Sequence, residues 1–261
     1  MGRVDGKVAL ISGGAQGMGA ADAWALVAEG GKVVIGDILD DKGKALADEI
    51  NAAHPDSARY VHLDVTQADE WEAAVATTVN DFGRLNVLVN NAGTVALGMI
   101  GQFDMAKWQK VIDVNLTGAF LCTQAAAARM RTGGTGGRVV NIASQAAKSG
   151  FRHMAPYVAS KHGLIGLTRT AAIDLAADGI TVNAVCPNHV TTGLGAKQSE
   201  YFAALRGLTP EDYRRGIAER IPLGRVGLPG DTAAAAAFLA SDDAAFITGE
   251  ALNVSGGEEM H

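Results

Sequence analysis

The feature that most constrains this chain is a short apolar segment followed at once by a glycine-rich loop and a helix. Lys7–Ile11 has the length and composition of a strand, and Ser12–Gly19 carries the spacing Gly-x-x-x-Gly-x-Gly before an Ala-rich helix to Glu29. Glycines let a backbone approach a pyrophosphate closely, and the free amides at a helix start attract its negative charge. This order predicts a dinucleotide-binding unit; the alternative is a tight structural turn.

Strand-like and helical segments alternate along the rest of the chain, without a linker-like stretch. The alternation predicts one α/β domain over residues 1–261, built as a doubly wound Rossmann fold with a parallel sheet flanked by helices. The further predicted strands are Lys32–Gly36, Tyr60–Leu63, Asn86–Val89, Arg138–Ile142, Ile180–Val185 and Ala251–Val254, and the further helices are Ala68–Phe82, Met105–Arg131, Met154–Ala177 and Asp231–Ala240.

An acidic residue ends the second predicted strand. Asp37 follows the glycine loop by about 20 positions, where a carboxylate can accept hydrogen bonds from the adenosine ribose and repel a 2′-phosphate. No Arg or Lys stands in the loop, which has Gln16, or directly after Asp37, which is followed by Ile38. These residues predict NAD rather than NADP. An aspartate that only caps the next helix is the alternative, and it suits Asp41 better.

A tyrosine and a lysine share one face of a predicted helix. Tyr157 and Lys161 lie four positions apart within Met154–Ala177, so their side chains stand one above the other. A free phenol titrates near ~10, and a neighbouring ammonium stabilises the phenolate. The pair predicts a general acid/base for a carbinol oxygen, and Ser144 would hold that oxygen. The alternative is a chance pair on a helix surface.

One asparagine stands between apolar neighbours in the long predicted helix Met105–Arg131. A buried Asn115 is costly unless its amide is satisfied, so it predicts a bend or a bound water. Asn90–Gly93 turns out of the fourth predicted strand, and its small residues would let the chain pass close to a cofactor. An ordinary asparagine-rich turn is the alternative.

Charge and cysteine usage narrow the partners. The net charge is −6 and no run of Lys or Arg occurs, so we expect neither nucleic acid nor an anionic membrane as a partner. Cys122 and Cys186 stand in apolar stretches, as reduced thiols of a cytoplasmic protein do. No secretory or membrane-spanning segment is expected, and no metal site is predicted.

Taken in order, these motifs resemble the short-chain dehydrogenase/reductase family over nearly the whole chain. The resemblance implies a seven-stranded Rossmann fold that binds a nicotinamide cofactor and a small alcohol or ketone substrate. It also suggests a homotetramer that packs through the two long helices. The residues that carry it are Ser12–Gly19, Asp64, Asn90–Gly93, Asn115, Ser144, Tyr157-x-x-x-Lys161 and Pro187.

The resemblance implies roles for individual residues. Tyr157 would be the acid/base, and Lys161 would hold the nicotinamide ribose while lowering the Tyr157 pKa. Ser144 would orient the carbonyl, and Asn115 would anchor a water in a proton relay. Cofactor contacts are implied, at the adenine, the pyrophosphate or the nicotinamide end, for Gly13, Gln16, Gly17, Met18, Gly19, Asp37, Ile38, Asp64, Val65, Asn91, Ala92, Gly93, Tyr157, Lys161, Pro187, Val190 and Thr192.

The chain departs from the family pattern at three positions. Ser12 replaces the usual Thr, and Ser255 stands where Asp is common. Asn188 replaces the usual Gly after Pro187; Asn tolerates positive φ, but its side chain is expected to project towards the nicotinamide or the substrate.

The substrate is less constrained by the sequence. Gln145, His153 and Asn188 are predicted to bind it beside Ser144 and Tyr157, which favours a sugar alcohol or vicinal diol. Residues 192–223, with little regular pattern, are predicted to form a substrate loop or lid. The alternative is an apolar pocket for a steroid or another bulky secondary alcohol, lined by Leu97, Met99, Met154 and Phe202.

Two further hypotheses stay open at this stage. A 3-oxoacyl-thioester reductase of the same family is less favoured, because such reductases usually prefer NADP whereas Asp37 is present here. A catalytically silent NAD-binding scaffold is the non-enzyme alternative. It is disfavoured because Ser144, Tyr157 and Lys161 are all present.

Overall fold

The computed structural model describes residues 2–260 and contains a seven-stranded parallel sheet in the order β3-β2-β1-β4-β5-β6-β7. This confirms the predicted fold class. The strand order reverses between β1 and β4, and a crevice opens there beyond the carboxyl ends of the strands. The strands are β1 (Val8–Ser12), β2 (Lys32–Asp37), β3 (Ala58–His62), β4 (Val87–Asn90), β5 (Gly137–Ile142), β6 (Ile180–Pro187) and β7 (Ala251–Val254).

Helices cover both faces of the sheet. One apolar core lies under α1, α2 and α9, and a second lies under α3, α5 and the end of α6. Strands covered on both faces are mostly apolar, which is why the sequence shows them as short apolar runs. The helices are α1 (Gly17–Ala28), α2 (Asp40–Ala53), α3 (Ala68–Phe82), α4 (Met105–Ile112), α5 (Gly118–Gly133), α6 (Ala155–Asp174), α7 (Gly193–Leu205), α8 (Pro210–Ala218) and α9 (Pro229–Ala240).

The long predicted helix Met105–Arg131 is interrupted where the sequence predicts a bend. Asp113–Thr117 forms one π-helical turn between α4 and α5. The Asn115 side chain bonds the backbone of Thr94 instead of its own helix, and a π turn of this kind re-aims side chains at functional sites. By length and composition alone Met105–Gly133 could cross a membrane, but core helices pass the same test, and Cys122, Ala126 and other residues of α5 pack in the core.

Residues 192–223 contain two helices that the sequence did not predict. Thr192 caps α7 by accepting a hydrogen bond from the amide of Gly195 (3.2 Å). Thr209 caps α8 by accepting one from the amide of Asp212 (3.1 Å), and Pro210 takes the first helical position. The glycines and the proline that were interpreted as breakers therefore stand at helix starts.

Candidate active site

A cavity of about 780 Å³ opens at the carboxyl ends of the strands. Its walls come from the end of the glycine loop, the segment after β5, the start of α6, the end of β6, and α7 with α8. Ser144 and Tyr157 both line it. The segment predicted as a substrate loop thus forms one wall of the cavity.

Ser144, Tyr157 and Lys161 converge on this cavity from two elements. Ser144 follows β5, and its Oγ accepts a hydrogen bond from the amide of Ala146 (3.1 Å) while also bonding the Tyr157 hydroxyl. Tyr157 and Lys161 stand one turn apart on α6 and are both buried. The Lys161 Nζ donates to the carbonyl oxygen of Ile142 (2.6 Å) and lies 5.8 Å from the centroid of the Tyr157 ring. The predicted catalytic side chains are therefore neighbours.

Burial dominates the electrostatics of this group. It raises the pKa of Tyr157, and the hydrogen bond with Ser144 only partly opposes it. Burial also lowers the pKa of Lys161 to about 8, an effect partly opposed by Cys186. The lowering of the Tyr157 pKa by Lys161 stays a prediction, because burial dominates the pKa of Tyr157 in this state and disfavours the phenolate. The Tyr157 phenol is thus in its proton-donor form.

The side-chain amide of Asn115 forms hydrogen bonds with other groups of the protein. Its Nδ2 donates to the Thr94 carbonyl (2.9 Å) and to the Ser160 hydroxyl (3.0 Å), and its Oδ1 accepts from the Thr94 amide (2.8 Å). A Cβ built on Gly93 would lie 3.6 Å from this Oδ1 and 3.9 Å from the Lys161 Nζ. Asn115 is therefore a neighbour of the lysine, and the water relay stays a prediction.

The glycine loop is held by hydrogen bonds between Ser12, at the end of β1, and Asn91, which follows the neighbouring strand β4. Gly13 and Gly17 adopt φ of +62°, which side chains rarely tolerate. A Cβ on Gly19 would overlap the carbonyl oxygen of Gly13. The side-chain Nδ2 of Asn91 donates to the carbonyl oxygens of Ser12 (3.2 Å) and Gly13 (2.8 Å). The Ser12 Oγ accepts from the backbone amides of Asn91 and Ala92. Ser12 thus ties the loop as a threonine would.

Asp37 ends β2 beside this loop. Its carboxylate accepts hydrogen bonds from the amides of Ala15 (3.0 Å) and Leu39 (3.0 Å), and it is buried, whereas Ile38 is 59% exposed. The Lys42 ammonium donates to Gln16 Oε1 (2.8 Å). Lys42 is a cation that the sequence reasoning missed, because it stands five positions past Asp37, inside α2.

A second aspartate marks the end of β3. One carboxylate oxygen of Asp64 accepts from the amide (3.0 Å) and the hydroxyl (2.8 Å) of Thr66, which closes an Asx turn. Val65 is buried and would contact a Cβ at Gly118. Asp64 is thereby held at the sheet edge where the adenine contact is predicted.

The remaining predicted cofactor residues, Pro187, Val190 and Thr192, face the glycine loop. They line one cavity together with Gly17 and Met18 of that loop. A Cβ on Gly17 would come within 3.5 Å of the Thr192 side chain. A crevice at the strand-order reversal, left-handed glycines and a buried carboxylate after β2 together fit a nicotinamide dinucleotide.

The predicted substrate residues behave differently from one another. Gln145 and Asn188 line the cavity, but Gln145 Nε2 donates to Glu259 (3.0 Å) and Asn188 donates to Glu258. The Asn188 amide nitrogen is thus engaged by Glu258 although the residue lines the cavity, and its contact with the nicotinamide or the substrate stays a prediction. His153 is not among the described residues that line the cavity. Its backbone is in the left-handed region, with φ of +63°, and its Nδ1 lies 2.9 Å from the Tyr201 hydroxyl.

The apolar alternative is borne out only in part by geometry. Met154 and Phe202 line the cavity, while Leu97 and Met99 do not appear in its described lining. Phe151 and Arg152, which the sequence also suggested as pocket residues, line the cavity. The sequence reasoning missed two carboxylates near the C-terminal end and three cavity arginines. Only the tertiary fold brings their segments to Ser144 and Tyr157: Arg206, Arg214, Arg220, Glu258 and Glu259.

Comparisons with known proteins agree with this geometry. Residues 13–259 match a family model described as enoyl-(acyl carrier protein) reductase. The chain is 43% identical over 256 residues to a 3-alpha-(or 20-beta)-hydroxysteroid dehydrogenase of Mycobacterium tuberculosis strain H37Rv, covering 98% of this chain and 90% of that protein. It is 44% identical to a trans-4-hydroxycyclohexanecarboxylate dehydrogenase of Sinomonas cyclohexanicum, covering 98% and 94%. The crystal structure of levodione reductase superposes with a TM-score of 0.92, at 31% identity and 98% coverage of both chains.

Proposed function

The chain belongs to the short-chain dehydrogenase/reductase family, and we propose that it is an NAD-dependent oxidoreductase that interconverts a secondary alcohol and its ketone. The observation that carries the proposal is that Tyr157 and Ser144 meet on the wall of one cavity, one helical turn from the buried Lys161.

The residues of the cavity would divide the work at the substrate oxygen. A bound nicotinamide supplies or accepts the hydride. Tyr157 donates its proton to the carbonyl oxygen during reduction and takes the proton back during oxidation. Ser144 keeps its proton, donates a hydrogen bond to the same oxygen and so fixes the position of that oxygen. Lys161, while charged, favours the phenolate that oxidation requires.

NAD is favoured by the charges around the adenosine ribose site. The Asp37 carboxylate is buried, so its repulsion of a 2′-phosphate is weakly screened. The Lys42 ammonium is exposed, and its attraction for a 2′-phosphate is weakened by solvent. The negative charge therefore outweighs the positive one.

We favour a carbinol on an apolar ring over a polyol. The polar groups that the polyol hypothesis needs are engaged elsewhere: Gln145 and Asn188 by the C-terminal carboxylates, and His153 by Tyr201. Met154 and Phe202 give the cavity an apolar middle. The hydroxysteroid and hydroxycyclohexanecarboxylate relatives are named for alcohols on carbocycles, which supports the same substrate class, whereas a galactitol 2-dehydrogenase of Agrobacterium fabrum, 36% identical, supports the polyol alternative.

The test is initial-rate formation of reduced cofactor on cyclic secondary alcohols, hydroxysteroids, sugar alcohols and simple alcohols, with NAD and NADP in parallel at alkaline pH. We expect turnover of carbocyclic alcohols with NAD. Turnover confined to sugar alcohols would reject the apolar pocket and keep the mechanism. Silence across the panel would reject the proposed function in favour of a nucleotide-binding scaffold.

We also propose a homotetramer in the cytoplasm. Phe120 on α5 and Ile173 on α6 are 47% and 78% exposed, which supports an interface on these helices. Cys122 and Cys186 are buried free thiols, as suits a reducing compartment. Light scattering of the purified protein tests the tetramer, and a monomer at micromolar concentration would contradict it.

A further inference from the structure

The side of the cavity formed by α7 and α8 is positively charged. Arg206 ends α7, Arg214 stands on α8, Arg220 follows α8, and Arg152 approaches from the loop before α6. No Asp or Glu lines this cavity within residues 2–260. The contrast is sharp because the chain as a whole carries 28 acidic against 22 basic residues. The charge of the cavity is therefore opposite to that of the protein.

None of these arginines forms an ion pair within the part of the chain that the structure describes, although the charge of Arg220 acts on the Glu258 carboxylate behind the cavity wall, whereas other nearby arginines are paired. Arg215, the residue after Arg214, pairs with Asp212, and Arg225 pairs with Asp231. Arg206 instead lies over the ring of Tyr213, with its guanidinium carbon 5.1 Å from the centroid. A guanidinium presents a planar fork of donors that suits carboxylate and phosphate oxygens. The cavity thus holds anion-binding groups without an anion of its own.

Arg206 is remote from the predicted pyrophosphate position. α7 begins at Gly193, where Thr192 meets the glycine loop, and its thirteen residues place Arg206 about 20 Å along the helix. Phe202, one turn before Arg206, stacks against Tyr213 at 6.2 Å between centroids, and both rings line the cavity. The cavity therefore combines the proton-transfer group Tyr157, apolar wall residues and a cationic wall.

We infer that the substrate is an alcohol or ketone with an apolar body and an anionic group, a carboxylate or a phosphate, which Arg206, Arg214 and Arg220 bind while Tyr157 meets the carbinol. This inference rests on the proposed function and specifies its substrate class. The arginines are positioned to orient the substrate, and they touch none of the reacting atoms.

The experiment compares three probes that share a 1-arylethanol carbinol with a fourth probe that bears phosphate. Rates with NAD are measured for 4-(1-hydroxyethyl)benzoate, its methyl ester and 1-phenylethanol, and 3-hydroxybutyryl-coenzyme A is the phosphate-bearing probe. We expect kcat/KM for the carboxylate to exceed that for the ester at least about tenfold. Added salt should lower the carboxylate value and spare the ester value. Preference for the thioester over the carboxylate would assign the arginines to phosphate.

Two variants test which arginines produce the preference for the carboxylate probe. The double variant Arg214→Gln/Arg220→Gln should lower the carboxylate-to-ester ratio of kcat/KM at least about tenfold, mainly through KM. Arg215→Gln is the matched control and should keep the ratio, because Arg215 pairs with Asp212 outside the described lining. An ester turned over as well as the carboxylate, or a ratio unmoved in the double variant, would overturn the inference and leave the proposed function standing. Turnover of none of the probes would count against the proposed function itself.

Discussion

The two halves of the site use their polar side chains in opposite ways. On the cofactor side, Asp37 and Asn91 hydrogen-bond the main chain of the glycine loop, and the Ser12 hydroxyl at the start of that loop bonds the main chain of Asn91. On the α7–α8 side, Arg206, Arg214 and Arg220 are exposed and carry no ion pair within residues 2–260. The first half is held rigid before any ligand arrives, while the second keeps its charges available. Rigidity suits a cofactor of fixed shape, and available charge suits selection among substrates.

Tyr157 joins the two halves, and its replacement should have the largest effect. Tyr157→Phe removes the proton donor and should lower kcat by about 10³-fold. Cofactor binding should persist, since the glycine loop is held by Ser12 and Asn91, and binding is measured by the change in intrinsic fluorescence. Tyr201→Phe is the control, because Tyr201 contacts His153 outside the described lining. Substantial turnover by Tyr157→Phe would reject the acid/base assignment.

Lys161 should show the cost in stability of a buried catalytic cation. Its pKa falls from 10.5 to about 8 because the ammonium is desolvated. Below about pH 8, Lys161 is protonated in both the folded and the unfolded state. Burying the ammonium then lowers the free energy of unfolding by up to about 3 kcal/mol. Lys161→Met should therefore raise the free energy of unfolding at neutral pH while abolishing turnover.

The sign of the pH dependence tests this account. Between about pH 8 and 10.5 the unfolded chain binds more protons than the folded protein, so the wild type gains stability there and the gap to Lys161→Met narrows. Urea unfolding across this range measures it. The exposed Lys197 provides the control Lys197→Met, which should change stability by less than about 0.5 kcal/mol. A pH-independent gap would contradict the lowered pKa.

Asp22 is an exception to the satisfied polar groups of the cofactor half. Asp22 on α1 is fully buried, and its carboxylate accepts no hydrogen bond from any described residue, so burial raises its pKa well above 3.8. Above that pH the unfolded chain loses a proton that the folded protein keeps, and stability falls by up to about 1.4 kcal/mol per pH unit. Asp22→Asn should remove this decline, which urea unfolding between acidic and neutral pH measures. Parallel pH curves would contradict a neutral Asp22.

The same contrast explains what the sequence could predict. The bounds of α3 and β7 match their predictions, because apolar periodicity and strand runs are local patterns. The glycine loop was likewise recognisable from spacing within eight residues, Ser12–Gly19. By contrast, Asn188 meets Glu258 across seventy positions of sequence, a contact that only the tertiary fold creates. The cationic end of the cavity is assembled in the same non-local way.

The smallest expected effect concerns the choice between NAD and NADP. Asp37→Asn keeps one oxygen acceptor, for the amide of either Ala15 or Leu39, and removes the charge, so the preference for NAD should fall about tenfold. Lys42→Gln should raise that preference only about twofold, because an exposed ammonium is screened by solvent. The measurement is the ratio of kcat/KM with the two cofactors, and Asp41→Asn, an exposed neighbour, is the control. A wild type that prefers NADP would mean that Lys42 outweighs Asp37, and the buried charge would then not decide the cofactor.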